Sequence, residues 1–253
     1  MPDAAPLLAA TQLLDYRAPS VVRLTEDRKW LRLPQYDRIG AIYDFVRNEI
    51  AFGYNRADNI PASEVLRDGY GQCNTKGTLL MALLRGVGIK CRLRGFTIHK
   101  ELQRGVVPDL IFPIAPQEIL HSWVEVEFDG KWINLEGFIL DAKFLSVLQQ
   151  TFSGNKSLCG FGAGTDCLDA PPVRWEGHDT YIQDTGIEQD FGVFETPDQF
   201  YSEHMQKFGR VRGWLYRFII RHWMNTRVRA IRSGRLKPSR SAIHDHGGIA
   251  DAA

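Results

Sequence analysis

The spacing of apolar residues predicts two long helices in the first half of the chain. From Tyr36 to Ile50, apolar side chains recur every three or four positions, and the pattern ends before Gly53. The same spacing returns after a glycine-rich turn, between residues 73 and 85, and it ends at Gly86. Each of these helices should bury one face against a core.

Alternating apolar and polar residues predict a strand over 90–99 and a hairpin made of 121–128 and 131–136. Asp129-Gly130 separates the two arms of the hairpin, and this dipeptide is typical of a two-residue type I′ turn. That turn fixes the register, with Phe128 opposite Lys131. The face opposite to Val126 and Ile133 then carries five residues, namely His121, Trp123, Glu125, Asn134 and Glu136.

Other stretches give weaker signals, and together they divide the chain into four segments. We expect an N-terminal arm over 1–34 with a short strand near 21–24, and then a core over 35–152. A C-terminal extension over 153–232 should complete a pocket, and a disordered tail should follow over 233–253. Within these segments the predicted elements are a short helix over 61–66, a loop over 101–119, a helix over 142–152, a glycine-rich loop over 153–164, an acidic stretch over 166–206 and a last helix over 200–231.

Composition is that of an ordinary globular protein. The 253 residues are 44% apolar and 24% charged, and no apolar run approaches the length needed to span a bilayer. The first residues lack a basic segment, so we predict no signal peptide. Four cysteines are too few for a disulfide scaffold, which favours a reducing, cytoplasmic location.

The net charge of +1 hides a strong asymmetry. Residues 207–240 contain eleven Lys or Arg and no acidic residue, whereas residues 1–206 carry 20 basic and 28 acidic side chains. We favour docking of the basic helix on the acidic stretch 166–206 of the same chain. An anionic membrane surface stays open as a partner. The absence of base-reading motifs argues against nucleic acid.

The candidate chemistry begins at Cys73, which follows the turn Gly69-Tyr70-Gly71-Gln72 and opens an apolar helix. Unpaired backbone N–H groups and the positive end of the helix dipole meet at this position, and both favour a thiolate. A nucleophilic cysteine is one interpretation, and a small buried thiol is the other.

His121 and Glu136 supply the remaining groups that thiol acyl transfer requires. The thiolate attacks a carbonyl, the imidazole moves protons, and the carboxylate orients the imidazole. Since His121 and Glu136 are diagonal neighbours on one face of the predicted hairpin, their side chains should reach each other. The backbone N–H of Cys73 and a neighbouring group such as Gln72 could stabilise an oxyanion.

In these features the sequence resembles the transglutaminase-like superfamily of papain-like cysteine enzymes, of the bacterial type. The resemblance covers about residues 36–140 and implies an α+β, papain-like core in which the cysteine helix packs on an antiparallel sheet, followed by a C-terminal extension ending in a basic helix. It also implies Cys73 as nucleophile, His121 as base and Glu136 as third member, where the family usually has Asp. The segments that carry it are 36–50, 62–66, 69–73, 79–92, 121–126 and 132–136.

One departure from the family changes the expected reaction. True transglutaminases typically follow the cysteine with Trp, and this chain has Asn74. We therefore expect hydrolysis of a peptide or small amide rather than protein crosslinking. A thiol-dependent lyase or isomerase, or a non-catalytic binding module, stays an alternative on the same scaffold.

The remaining predictions concern residues around the site. We expect Gln72, Tyr70, Asn74, Trp123 and Asn134 to bind substrate or stabilise the oxyanion, and Asn134 could orient the imidazole in place of Glu136. No spacing of cysteines or histidines matches a standard zinc pattern, so no metal or cofactor is predicted. The sequence does not indicate an oligomeric state.

Overall fold

A computed structural model describes residues 6–205 and 210–238. Its eight helices are α1 (Pro19–Arg28), α2 (Gln35–Asn48), α3 (Ala62–Asp68), α4 (Cys73–Gly86), α5 (Ala142–Thr151), α6 (Pro197–Glu203), α7 (Arg210–Leu215) and α8 (Arg221–Arg232), all within the described residues. The strands in those residues are β1 (Ala51–Phe52), β2 (Tyr70–Gly71), β3 (Cys91–His99), β4 (Glu118–Phe128), β5 (Lys131–Leu135), β6 (Leu158–Gly160), β7 (Ala163–Thr165) and β8 (Ile187–Phe194).

The main sheet is antiparallel and has four strands in the order β5-β4-β3-β8. Helix α4 packs against β4 and β3, while α2 and α3 pack on α4. The fold is therefore α+β, with the cysteine helix on an antiparallel sheet, as the sequence predicts. Two short pairs complete the strands: β1 with β2, which is parallel, and β6 with β7, which is antiparallel.

Helix α4 is buried along almost its whole length, because every residue from Cys73 to Arg85 is buried. The predicted apolar stripe covers only one face, so the polar residues on the other faces must find partners in the interior. The Lys76 ammonium, for example, donates hydrogen bonds to the carbonyls of Arg47 and Ile139 at 3.2 and 2.9 Å.

The hairpin has the predicted register. Phe128 lies opposite Lys131, and Val126 lies opposite Ile133. Asp129 and Gly130 both have positive φ, 50° and 71°, as a type I′ turn requires. The strand pairing ends at Val124 and Leu135, so Glu136 lies just beyond the ladder.

The strand predicted near 21–24 is wrong, because this segment lies within helix α1. Pro19 occupies the first turn, where its missing N–H costs nothing. Val21 and Thr25 are one helical turn apart and both are buried. Tertiary packing on α3 and α4 thus overrides the β-preference of a short valine pair.

The single helix predicted over 200–231 is also wrong. Helix α6 ends at Glu203, residues 206–209 lie outside the described part of the chain, and helical structure resumes at Arg210. Residues Tyr216–Ile220 form one π-helical turn between α7 and α8. The disordered tail predicted over 233–253 lies outside the described residues from 239 onward.

The basic helix has different anchors from those predicted. Arg232 forms an ion pair with Asp141 at 2.7 Å, and the Asn225 side chain bonds to the backbone N–H and C=O of Tyr54. The helix is therefore fixed to the residues after β1 and to the start of α5, rather than to the acidic stretch 166–206. Across the described residues we find no helix that is long and apolar enough to cross a membrane.

Candidate active site

Cys73 lies at the first position of α4, directly after the short strand β2. Gln72 caps this helix: its backbone N–H donates to Thr75 Oγ1 at 3.1 Å, and its side chain accepts from the Thr75 backbone. The helix thereby starts sharply at Cys73, so the cysteine belongs to the first turn, where backbone amides have no intrahelical partner. The cysteine retains 7% of its exposure, so the sulfur is almost enclosed.

His121 lies within β4, where it is paired with Phe96 of the neighbouring strand and is completely buried. Its Nε2 atom lies 2.8 Å from Glu136 Oε1. The two residues that the hairpin register makes diagonal neighbours are therefore in direct contact. The ring is 6.2 Å from the Phe96 ring, which encloses it on one side.

Both oxygens of the Glu136 carboxylate have hydrogen-bond partners. While Oε1 contacts the histidine, Oε2 accepts hydrogen bonds from the backbone N–H groups of Ile182 and Gln183 at 2.7 and 2.8 Å. The Glu136 backbone N–H bonds in turn to the carbonyl of Thr180 at 3.0 Å. The extra methylene of Glu, compared with Asp, is thus used to span the gap between the ring and these two amides.

Asn74 links the cysteine helix to the histidine strand. Its Nδ2 atom donates to the carbonyl of Leu120 at 3.1 Å, and its Oδ1 atom accepts from Ser122 Oγ at 2.9 Å. These contacts fall on the residues directly before and after His121. Asn74 therefore fixes the position of the imidazole relative to the sulfur, and its amide is already occupied.

The electrostatics favour a charged imidazole. Burial of the ring opposes protonation, but the charge and hydrogen bonding of Cys73, together with Glu136, outweigh it and raise the pKa of His121 to about 10. Nε2 is occupied by Glu136, and Nδ1 makes no hydrogen bond of regular geometry with a described residue. The effect of Cys73 on the pKa of His121 shows that the sulfur lies close to the ring.

Tyr54 is a site residue that the sequence does not reveal. Tyr54 follows β1, which pairs with β2 just before Cys73, and it lies close enough to Cys73 for the charge of the sulfur to affect its pKa. Its hydroxyl is buried and has no hydrogen-bond partner among the described residues. Burial, followed by the nearby charges of Tyr216 and Cys73, raises the pKa of Tyr54, so the hydroxyl remains a donor. A buried donor without a partner beside a nucleophile is arranged to meet a ligand.

Gln72 and Tyr70 lie close to the cysteine in the sequence, and the Gln72 side chain has another role. Gln72 Oε1 accepts from the Asn55 backbone at 3.0 Å, and its Nε2 donates to Asp58 at 2.8 Å. Tyr70 belongs to β2, pairs with Ala51 and is partly exposed. The Gln72 amide is thus committed to the local structure.

The sequence predicts that Trp123 and Asn134 share the hairpin face of His121, and their surroundings differ. Trp123 is 7% exposed, its ring is 4.1 Å from that of Phe96, and its Nε1 has no partner among the described residues. Asn134 donates to Asp179 and Tyr181 at 3.0 and 2.8 Å. Asn134 therefore does not orient His121, because Glu136 makes that contact.

The described residues contain no group of three or more His, Cys, Asp or Glu side chains that could hold a metal ion. Of the four free cysteines, Cys91 is buried, Cys159 is partly buried and Cys167 is exposed. Burial raises the pKa of both Cys91 and Cys159 to about 11. The exposed Cys167 is therefore the natural reference thiol for reactivity measurements.

Comparison with known proteins finds a family match for part of the chain. Residues 27–137 match the model of the transglutaminase-like superfamily, and no curated protein matches the sequence. A candidate cysteine protease from Cytophaga hutchinsonii is similar in structure, with a TM-score of 0.45 and 15% identity over 78% of this chain and 49% of that chain.

Two other solved structures give lower scores. A candidate protease from Parabacteroides distasonis has a TM-score of 0.33 and 15% identity over 52% of this chain and 26% of its own. Red sea bream transglutaminase has a TM-score of 0.30 and 16% identity over 49% of this chain and 25% of its own. The chain thus spans about half the length of the Cytophaga protein and about a quarter of the other two.

The family match extends over much of the segment whose motifs carry the resemblance and includes Cys73, His121 and Glu136. Over residues 27–137, somewhat less than half of its length, the chain is therefore similar to the transglutaminase-like superfamily.

Proposed function

We propose that this protein is a cysteine-dependent enzyme that cleaves an amide or peptide bond, or transfers its acyl group, through a thioester on Cys73. The observation that carries the proposal is the buried contact of His121 with Glu136 at 2.8 Å beside the sulfur at the start of α4. The match of residues 27–137 to the transglutaminase-like superfamily supports a thiol enzyme of the papain-like kind. The three residues would act as nucleophile, acid–base and orienting carboxylate.

The reaction has two halves. In the first, the Cys73 thiolate attacks the carbonyl carbon, and the His121 imidazolium gives its proton to the leaving nitrogen as the C–N bond breaks. In the second, water or an acceptor amine attacks the thioester, and His121 takes the proton from the attacking atom. The C–S bond then breaks and restores the thiolate. Glu136 keeps its charge and holds the ring throughout.

The developing oxyanion would be stabilised by the backbone N–H of Cys73 and by the Tyr54 hydroxyl. The first belongs to the unpaired amides at the start of α4. The second is a buried donor without a partner among the described residues. We assign the Gln72 side chain no part in this step, because both ends of its amide are already bonded.

We favour hydrolysis of a peptide or small amide over protein crosslinking. The residue after the nucleophile is Asn74, whose amide bridges Leu120 and Ser122. This position therefore serves to align α4 with β4, and it lacks the tryptophan that is typical of the crosslinking enzymes of the family. Water is then the acceptor that we propose.

Alkylation by iodoacetamide tests the nucleophile without knowledge of the substrate. At about pH 6, well below the range in which an ordinary thiol reacts, Cys73 should be labelled faster than the exposed Cys167, despite its burial. Replacing His121 by Ala should remove this advantage. Slow labelling of Cys73 together with faster labelling of Cys167 would contradict the proposal and favour a non-catalytic module.

Mass spectrometry of the intact protein tests the reaction itself. Incubation with a panel of peptide and small-molecule amides should give an acyl adduct on Cys73, and the adduct should disappear as the free acid forms. The Cys73→Ala variant should remain folded and form no adduct. Turnover by that variant would refute the thioester mechanism, and turnover without release of an acid would point to a lyase or isomerase.

A further inference from the structure

The outer face of the C-terminal helices carries an unusual group of apolar residues. Trp214, Phe218, Ile219 and Trp223 are 58%, 53%, 48% and 46% exposed. The rings of Trp214 and Phe218 lie 5.5 Å apart, and Ile219 and Trp223 are four positions apart in the sequence. We call these four residues the aromatic face. Scattered apolar residues are normal on a surface, but a contiguous group with two tryptophans marks a contact site.

The aromatic face cannot turn inward, because the opposite side of the helix is already packed. Met224, Val228 and Ile231 are buried against the domain. Asn225 bonds to the Tyr54 backbone at 2.7 and 2.9 Å, and Arg232 pairs with Asp141. The helix is thus held in one orientation, and its aromatic face is presented to the surroundings.

Basic residues accompany the aromatic face. The Arg217 guanidinium lies over the Phe218 ring at 5.5 Å, and its charge also acts on Glu64, whose pKa it helps to lower. Arg217 belongs to the stretch 207–240, which has eleven basic residues and no acidic one. The rest of the chain, residues 1–206, carries an excess of acidic residues. The positive charge is therefore concentrated on the element that also exposes the tryptophans.

We propose that the aromatic face binds the surface of an anionic lipid bilayer. Tryptophan side chains insert at the depth of the lipid headgroups, and arginines pair with their phosphates. A second copy of this chain fits less well, because a twofold contact through this face would bring Arg217, which lies over the Phe218 ring, near the same charge of the partner. This proposal concerns binding and does not depend on the proposed reaction.

Sedimentation of the full chain with lipid vesicles tests the proposal. The protein should bind phosphatidylcholine vesicles that contain about a third phosphatidylglycerol, and it should not bind pure phosphatidylcholine. Salt of about 1 M should release most of it, because screening removes the attraction between the arginines and the lipid. The Trp214→Ala/Trp223→Ala variant should lose binding, and each of Arg217→Gln and Arg221→Gln should weaken it about fivefold.

Two matched variants separate the aromatic face from general surface properties. Leu110→Ala removes an apolar side chain that is 83% exposed elsewhere, and Arg23→Gln removes an exposed arginine from α1. Both should bind vesicles as the unmodified protein does. The alkylation rate of Cys73 should be the same in all variants, which shows that they are folded and keeps this test independent of the proposed reaction.

Three outcomes would overturn the proposal. The first is failure of the unmodified protein to bind anionic vesicles. The second is equal binding to neutral and anionic vesicles. The third is loss of binding in the control variants as well. Self-association through the aromatic face, or retention on single-stranded DNA, would identify a different partner if it occurred without vesicle binding.

Discussion

The substitution Glu136→Gln isolates the contribution of one charge to the site. The carboxylate accepts from three groups, since Oε1 meets the His121 ring and Oε2 meets the amides of Ile182 and Gln183. A glutamine has the same shape but only one accepting oxygen. That oxygen should stay with the two backbone amides, because they are buried and can only donate. The NH2 group of the glutamine then faces the ring.

Because the glutamine would donate this hydrogen bond to the ring, the His121 side chain should become neutral. A ring that accepts a hydrogen bond at Nε2 carries its proton on Nδ1 and is neutral. Burial already opposes the charge on His121, and with the Glu136 charge lost, its pKa should fall from about 10. The equivalent loss of an orienting carboxylate in serine proteases costs about 10⁴-fold in rate, so we expect about 10²- to 10⁴-fold, or roughly 3–5 kcal/mol.

The fold should survive the substitution. The two backbone amides keep an acceptor, and the lost charge-assisted contact costs about 1–3 kcal/mol, which a domain of ordinary stability tolerates. The readouts are the alkylation rate of Cys73 relative to Cys167 at about pH 6 and an NMR titration of His121. Both should change together, because both depend on the charge of the ring.

Asn134→Ala is the matched control for this experiment. Asn134 lies on the same hairpin two residues away, but it bonds to Asp179 and Tyr181 instead of the histidine. Its removal should leave the reactivity of Cys73 near that of the unmodified protein. If Glu136→Gln kept the normal alkylation rate and the normal titration of His121, the carboxylate would not set the state of the ring, and our reasoning would fail.

Three further substitutions give separate tests. Tyr54→Phe should slow acyl-adduct formation about 10²-fold without lowering the thermal midpoint, since it removes an oxyanion donor that makes no other bond; an unchanged rate would exclude that role. Asn74→Ala should cost about 1–3 kcal/mol in urea unfolding by leaving Ser122 without its acceptor, and an unchanged midpoint would contradict the bridging role. Burial lowers the pKa of Lys76 from 10.5 to about 7, so its contribution to stability should increase as the pH rises between those values. The raised pKa of His121 has the opposite effect, since it makes stability fall as the pH rises to about 10. The test is therefore the difference in the free energy of unfolding between the unmodified protein and Lys76→Met, which should increase in favour of the unmodified protein from about pH 7 to about pH 9.

Sequence patterns predict those elements whose residues lie close together in the sequence. Helix α4 and the β4–β5 hairpin follow from apolar spacing and from Asp129-Gly130, because each pattern depends on residues that are close in sequence. The same register predicts the contact of His121 with Glu136, although Glu136 itself lies just beyond the paired residues. The sequence therefore predicts two members of the proposed triad as neighbours before any tertiary structure is known.

Non-local pairing could not be predicted in the same way. Strand β8 lies at the edge of the sheet and is largely exposed, so polar residues such as Glu188, Gln189 and Asp190 give it no alternating pattern. Its register also shifts where it crosses β3. Tyr54 follows a strand of only two residues, and its position beside Cys73 results from a parallel pairing that no periodicity marks.

The Glu136 contacts show that the region matching the family is not sufficient to build the site. A completely buried carboxylate needs compensating donors, and two of the three that it has are backbone amides at positions 182 and 183. Those positions lie well beyond residue 137, where the family match ends. The segment around Thr180 also runs beside the end of β5 through hydrogen bonds with Asn134 and Glu136. Glu136 and the segment around residues 180–183 therefore depend on each other, because a shorter aspartate would not reach both the His121 ring and the amides of Ile182 and Gln183.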